Sequence, residues 1–267
     1  MLSLSTAIFP SSAADLQRLL NEALERFFIS KADPVAISDH SYPRLSAIEI
    51  SLDGARLRPE PPRPLIAACE ISPALEIDQL TVNASPLFLG PARVNLSAFA
   101  RDVQLGRGKN SEGQISLSID SLVSGQMEIS IAQADLEGVI IELAKTKGTR
   151  QGLTIDNLQL KLRQESPRSV SAEVDFRVRK LFLTASIRVT GQLDLDDDLN
   201  LKISGLACSG DGGMATLVCG ILKPYLQKID GREFPLISLP LGNIHLRDVR
   251  LAVGETLTLT AEFGAAS

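Results

Sequence analysis

Tryptophan is missing from this chain, and aromatic side chains of every kind make up only 4% of its 267 residues. Leucine, isoleucine, valine and alanine must therefore fill whatever interior the chain builds. Only two histidines are present, His40 and His245, so few imidazoles are on hand for acid–base chemistry. The first lies in "SDHSYP", which reads as a loop, and the second sits in a polar phase between Ile244 and Leu246. No GxSxG, HExxH, P-loop or GxGxxG occurs, so no catalytic residue, cofactor or resident metal is expected. Basic residues form no long run and the net charge is −5, which argues against a nucleic-acid groove.

Long apolar runs are also lacking. No stretch approaches the roughly 18 residues of a membrane span. The first cation is Arg18, so the N-terminus has no basic region of the kind that opens a secretory signal. These absences give a cytoplasmic location, or one peripheral to a membrane, as the expectation. Cys69, Cys208 and Cys219 are odd in number, widely spaced and never in CxxC, and read as buried free thiols in a reducing compartment.

What is present fits a globular chain, with 44% apolar and 22% charged residues, read as one domain over 1–267. After Pro10, apolar positions 13, 16, 19, 20, 23, 24, 27 and 28 trace the stripe of an amphipathic helix over about 12–29, with Ser12 and Asp15 as a capping pair. A second long helix is expected over about 213–229, opened by Asp211, Gly212 and Gly213 and kinked or restarted at Pro224. A shorter one spans about 134–146. The rest alternates like strand.

That alternation slips by one residue at four places: between Leu52 and Ala55, Ile77 and Leu80, Ile155 and Leu158, and Leu246 and Val249. A slip would turn every later apolar side chain outward unless the strand carries an extra residue, so β-bulges are favoured over hairpin turns. Bulges coil a sheet. An apolar phase of 15 residues from Leu181 to Leu195 also exceeds an ordinary strand. The expected fold class is α+β, a highly curved, bulged antiparallel sheet wrapped around long amphipathic helices. The acidic "DLDDDLN" run, Asp194 to Asn200, lacks the central glycine of a calcium loop and reads as a hairpin tip.

The closing segment "ILKPYLQKIDGREFPLISLPLGNIHLRDVRLAVGETLTLTAEFG" resembles that of the tubular lipid-binding (TULIP) superfamily: an amphipathic helix, a Phe234-Pro235-Leu236 step, a broken strand and a last alternating strand through Leu257, Leu259, Ala261 and Phe263. Within bacteria, "IAQADLEGVIIEL" is similar to the helix entry of LmeA-like phospholipid-binding proteins, and the likeness covers 114–264. It implies an elongated curved sheet around a long helix, with a groove for acyl chains.

The function expected is therefore non-enzymatic binding and transfer of a phospholipid or other acylated lipid. The expected lining is Leu16, Leu19, Leu20, Ala23, Leu24 and Phe27 on the first helix, Leu217, Ile221, Leu222 and Leu226 on the last, and Leu183, Ile187 and Val189 on the facing strand. The partners are a lipid and, in transient contact, a membrane surface; the densest cations, Lys145, Lys147 and Arg150 and Arg177, Arg179 and Lys180, suit an anionic surface but read first as a solvated face. The alternative is an interaction module of an envelope assembly, built with a filled interior and no ligand. The oligomeric state is left open.

Overall fold

Strands dominate the computed structural model, which describes residues 2–59, 71–149, 154–180, 183–196, 200–235 and 245–264. Among these residues sixteen strands accompany three helices. The expected class is thereby corrected: the fold is mainly β, and no long helix is wrapped by a sheet. The long elements are strands, two of them 18 residues each, whereas the helices have 13, 17 and 17.

The chain divides into two compact units, the first formed by Met1–Ser130, Pro240–Asp248 and Thr260–Ser267, the second by Ile131–Leu239 and Val249–Leu259. The first begins with β1 (Leu2–Ser3), α1 (Ala13–Glu25), β2 (Phe28–Ile29), β3 (Val35–Ser41), β4 (Arg44–Ser51) and β5 (Arg56–Leu57). The long pair β6 (Ser72–Leu89) and β7 (Ala92–Lys109) follows, then β8 (Ile115–Ser121) and β9 (Ser124–Ala132). The second unit holds α2 (Gln133–Thr149), β10 (Thr154–Ser166), β11 (Ser169–Lys180), β12 (Leu183–Leu195), β13 (Asn200–Gly210), α3 (Gly213–Ile229) and β14 (Glu233–Pro235). Two last strands, β15 (His245–Val253) and β16 (Thr256–Gly264), are divided between the units, as β9 is.

In the first unit β3, β4, β6 and β7 lie side by side, and β4 and β5 run parallel to β6, against the expectation of an all-antiparallel sheet. Its core gathers Leu16, Leu19, Leu20 and Ala23 of α1 with Leu4, Leu45, Ile48, Ile77, Val103 and Leu117 from the strands. α1 starts as its sequence predicts: Ser12 caps it, its Oγ accepting the backbone N–H of Asp15 at 3.2 Å. The helix stops at Glu25, four residues short of the expected end.

The second unit is an antiparallel sheet in the simple order β10-β11-β12-β13-β14, with α3 over β12 and β13 and α2 against β10. α3 continues through Pro224 without a restart. Pro224 and Gly220, whose carbonyl loses its partner there, are both exposed, so water can satisfy that oxygen.

Both units close a sheet edge in the same way. Asn21 Oδ1 and Gln17 Oε1 on α1 accept the backbone N–H groups of Val35 and Ile37, at 2.9 and 3.2 Å, on edge strand β3. On edge strand β10, Glu137 Oε1 accepts the N–H of Leu160 at 2.8 Å while Gln133 Nε2 donates to its carbonyl. Helix side chains thus stand in for the next strand at these positions.

The four phase slips resolve in different ways. Between Ile155 and Leu158 the β10–β11 register shifts and Asn157 takes φ +51°, a bulge as expected. Between Ile77 and Leu80 the register survives, Ile77 facing Val103 and Gln79 facing Arg101, because β7 makes a matching irregularity at Asp102, φ +51°. Between Leu52 and Ala55 the expected bulge is a turn, with Gly54 at φ +69°, after which β5 resumes alongside β6. Between Leu246 and Val249 the strand β15 stays unbroken, and the phase changes where the chain passes from the first unit to the second.

Candidate functional site

The residues expected to line a groove part company. Leu16, Leu19, Leu20 and Ala23 are buried in the core of the first unit, Leu24 packs at its margin, and Phe27 is half-buried beyond the helix end. Ile187 and Val189 belong to the second unit's core layer with Leu222, the first fully buried and the other two partly. Ile221 and Leu226 are half-buried on α3, and Leu217 is 48% exposed. The side chain of Leu183 lies outside the described residues.

Strand alternation and register lay out the apolar face of the second sheet. On β11 that face presents Val170, Ala172, Val174, Phe176 and Val178; on β12 it presents Ala185, Ile187, Val189, Gly191, Leu193 and Leu195. The pairing sets Phe176 opposite Ile187, Val174 opposite Val189 and Ala172 opposite Gly191. Burial along these rows is not uniform. Val178, Ala185 and Ile187 are covered at one end, and Val170 and Leu195 at the other. Between them Phe176, Val174, Ala172, Val189, Gly191 and Leu193 are only partly buried, Phe176 and Val189 resting against the core layer. On β13, Leu206 and Cys208 are half-exposed beside them. The result is a window in an otherwise buried aliphatic face. Four residue steps along the strand give it a length of about 13 Å, and three strands a width of about 10 Å.

α3 forms one rim of this window. Ala215 and Val218 are its buried side chains, and Cys219 joins Cys208 in a disulfide that fixes the helix to β13 directly beside Val189. The reading of these cysteines as free thiols is thereby corrected: they are 11 residues apart, yet the turn from β13 into α3 brings their Cα atoms within 5.5 Å. Cys69 lies outside the described residues.

The opposite face of the same strands is charged. Lys161 Nζ donates to Glu173 at 2.9 Å and to Asp175 at 2.8 Å, and Arg188 Nε donates to Asp175 at 2.8 Å. The Lys161 ammonium and the Arg188 guanidinium bonded to Asp175 hold its carboxyl below the usual carboxylate range. Four side chains of balanced charge thus satisfy one another, and the sheet has one polar and one aliphatic face. An open cleft of about 630 Å³ borders this network, lined by Asn157, Asp175, Arg177, Ser186, Arg188 and Asp211 among others.

The remaining polar candidates lie on strands and strand ends. His40 is on strand β3 rather than in a loop, its Nε2 3.4 Å from Asp78, and His245 is exposed on β15. Asp194 accepts from Ser169 at 2.6 Å, and Asp196 accepts from the backbone and side chain of Asn200, so these two carboxylates brace the strand ends, while Asp197 and Asp198 lie outside the described residues. No group of acidic, histidine or cysteine side chains suited to a metal ion occurs among the described residues. Of the two basic clusters, Arg179 lies 3.9 Å from Asp156 and Arg177 is exposed, while Arg150 lies outside the described residues, as do the side chains of Lys147 and Lys180. No helix among the described residues is long and apolar enough to cross a membrane.

Of the lining residues named from the sequence, Val189 lies in this window and Ile187 and Leu222 pack in the core layer beside it, whereas Phe176, Val174, Ala172 and Leu206 were not named. Their alternation was visible in "SVSAEVDFRV" and "LKISGLACSG", but without register nothing placed them beside β12. Compared with protein-family models, with curated proteins and with solved structures, the chain matches none.

Proposed function

We propose that the chain is a non-enzymatic lipid-binding protein that takes an acyl chain onto the aliphatic window of its second unit, along Phe176, Val174, Val189 and Leu193 beside α3. The observation that carries this reading is the patterned exposure of that face: buried at both ends and half-open between them on two adjacent strands. A core layer left open in its middle loses apolar burial that a ligand can restore, at about 0.8 kcal/mol for each methylene withdrawn from water. Transfer from a bilayer to such a surface exchanges one hydrocarbon environment for another and is close to neutral. The surface therefore shelters a chain without trapping it. The resemblance of residues 114–264 to tubular lipid-binding proteins implies the same cargo.

The reading moves the candidate lining away from α1, whose apolar stripe is consumed by the first unit's own core. Native mass spectrometry tests it, on protein as purified and after incubation with phosphatidylcholine vesicles. A bound lipid mass in either sample supports the carrier. A clean apo mass in both contradicts it and leaves the interaction module.

A further inference from the structure

Register lines up four side chains across one end of the first unit's sheet. Ile29 on β2 pairs with Arg56 on β5, Arg56 with Phe88 on β6, and Phe88 with Arg93 on β7. Paired residues share a face, so the four stand in one row about 14 Å long, three strand spacings. Their neighbours along the strands, Phe28, Ala55, Leu87 and Val94, turn the other way into the core. The row therefore lies on the outside. Ile29 is 50% exposed, Arg56 and Arg93 are exposed, and Phe88 is half-buried with the Arg56 guanidinium 4.5 Å from the centre of its ring.

The charge here departs from that of the chain. Acidic residues outnumber basic ones by 32 to 27 overall, yet residues 79–101, which span the β6–β7 turn, form the longest stretch without aspartate or glutamate. Arg58 adds a third cation two residues after Arg56. Of the carboxylates in the adjoining connections, Asp53 accepts the backbone N–H of Ser85 at 2.6 Å, and Glu25 and Asp33 line a cleft beside α1. A row of alternating apolar and guanidinium groups, with no acid among them, complements the boundary of an anionic bilayer, where phosphates lie against hydrocarbon. A nucleic-acid backbone would satisfy the arginines and leave Ile29 in water. Stacking on Phe88 occupies the face of the Arg56 guanidinium and leaves its N–H edge for a phosphate.

We propose that the Ile29–Arg56–Phe88–Arg93 row docks on the surface of an anionic phospholipid bilayer, with the two arginines on its phosphates and Ile29 and Phe88 at the acyl boundary. This goes beyond the cargo reading, uses the other unit of the chain, and stands whether or not the sheet window takes an acyl chain.

Co-sedimentation at low salt tests it, with vesicles of phosphatidylcholine alone and of equal parts phosphatidylcholine and phosphatidylglycerol. The wild-type chain should pellet with the mixed vesicles and stay in solution with the neutral ones. Arg56→Gln/Arg93→Gln should bind the mixed vesicles at least tenfold more weakly, and Ile29→Ser several-fold more weakly. All three side chains are exposed, so the melting curves should stay close to that of the wild type. Arg177→Gln/Arg179→Gln, which removes the same charge from β11, should pellet like the wild type. A wild-type chain left in solution with mixed vesicles overturns the proposal. So does a row variant that pellets like the wild type, or a β11 variant weakened as much as the row variant. Analytical ultracentrifugation covers the other occupant: a wild-type dimer that Arg56→Gln/Arg93→Gln breaks assigns the row to a second copy and also overturns it. Uptake of a fatty acid without vesicles reads the window alone, so the two proposals fail separately.

Discussion

Leu206 lies against Gly191, so close that a Cβ built on the glycine would stand 2.6 Å from Leu206 Cδ2. The bare backbone at Gly191 forms part of the window floor, and the leucine methyl drapes over it from β13. The nearest atom is the free end of a flexible side chain, which can rotate away.

Gly191→Val should therefore fold. Its extra volume goes into a half-open space, so the expected loss of stability is about 1 kcal/mol, at the low end for overpacking. With Leu206 displaced toward the window, fatty-acid uptake should fall several-fold. Thermal melts and a fluorescent fatty-acid titration of the same preparation read both effects.

The α1 stripe should respond in the opposite way. Leu16 is completely buried and Leu19 nearly so. Leu16→Ala should cost about 2–5 kcal/mol by urea unfolding, with uptake per folded molecule unchanged. Leu19→Arg would strand a charge in that core and should yield unfolded protein.

Reduction should loosen the second unit. The disulfide closes a short loop between β13 and α3, and its loss should cost about 3 kcal/mol. Denatured, unreduced protein should show one reactive thiol per chain, rising to three on reduction, since the chain has three cysteines. Thiol titration and paired melts with and without reductant measure this.

Alkali should act through Tyr42. Its hydroxyl donates to the carbonyl of Pro10 at 2.7 Å, and burial pushes its pKa up to about 12 from 10.0. The unfolded chain releases this proton near pH 10 and the folded one near 12, so the contribution is full below pH 10 and is lost as pH rises through about 12. The chain has only two tyrosines and no tryptophan, so Tyr225→Phe leaves Tyr42 as the sole phenol for an ultraviolet titration. Tyr42→Phe should flatten the decline in stability over that interval.

Legibility in the sequence followed the range of the interaction. The Ser12–Asp15 cap and the span of α3 were readable because they rest on neighbours within one or two turns. The slips at 77 and 155 were readable as breaks in period, but the answering irregularity at Asp102 becomes meaningful only once β6 is paired with β7. The fold class was misread because an apolar helical stripe looks the same whether it fills a small core, as Leu16 and Leu19 do, or lines a groove. The Cys208–Cys219 pair was missed because spacing says nothing about the turn that folds α3 back over β13. The window was half legible: β12 announced its own face, and β11 and β13 needed register to join it.

The most direct measurement is a titration of a pyrene-labelled fatty acid into wild-type chain and Val189→Arg, with Leu217→Ser as a control. Val189 is half-exposed, so an arginine there can carry its charge to water while its stem and solvation disrupt the window. The account predicts saturable binding by the wild type and the control, weakened at least tenfold in Val189→Arg. Absence of saturable binding by the wild type, or equal binding by Val189→Arg, would contradict it.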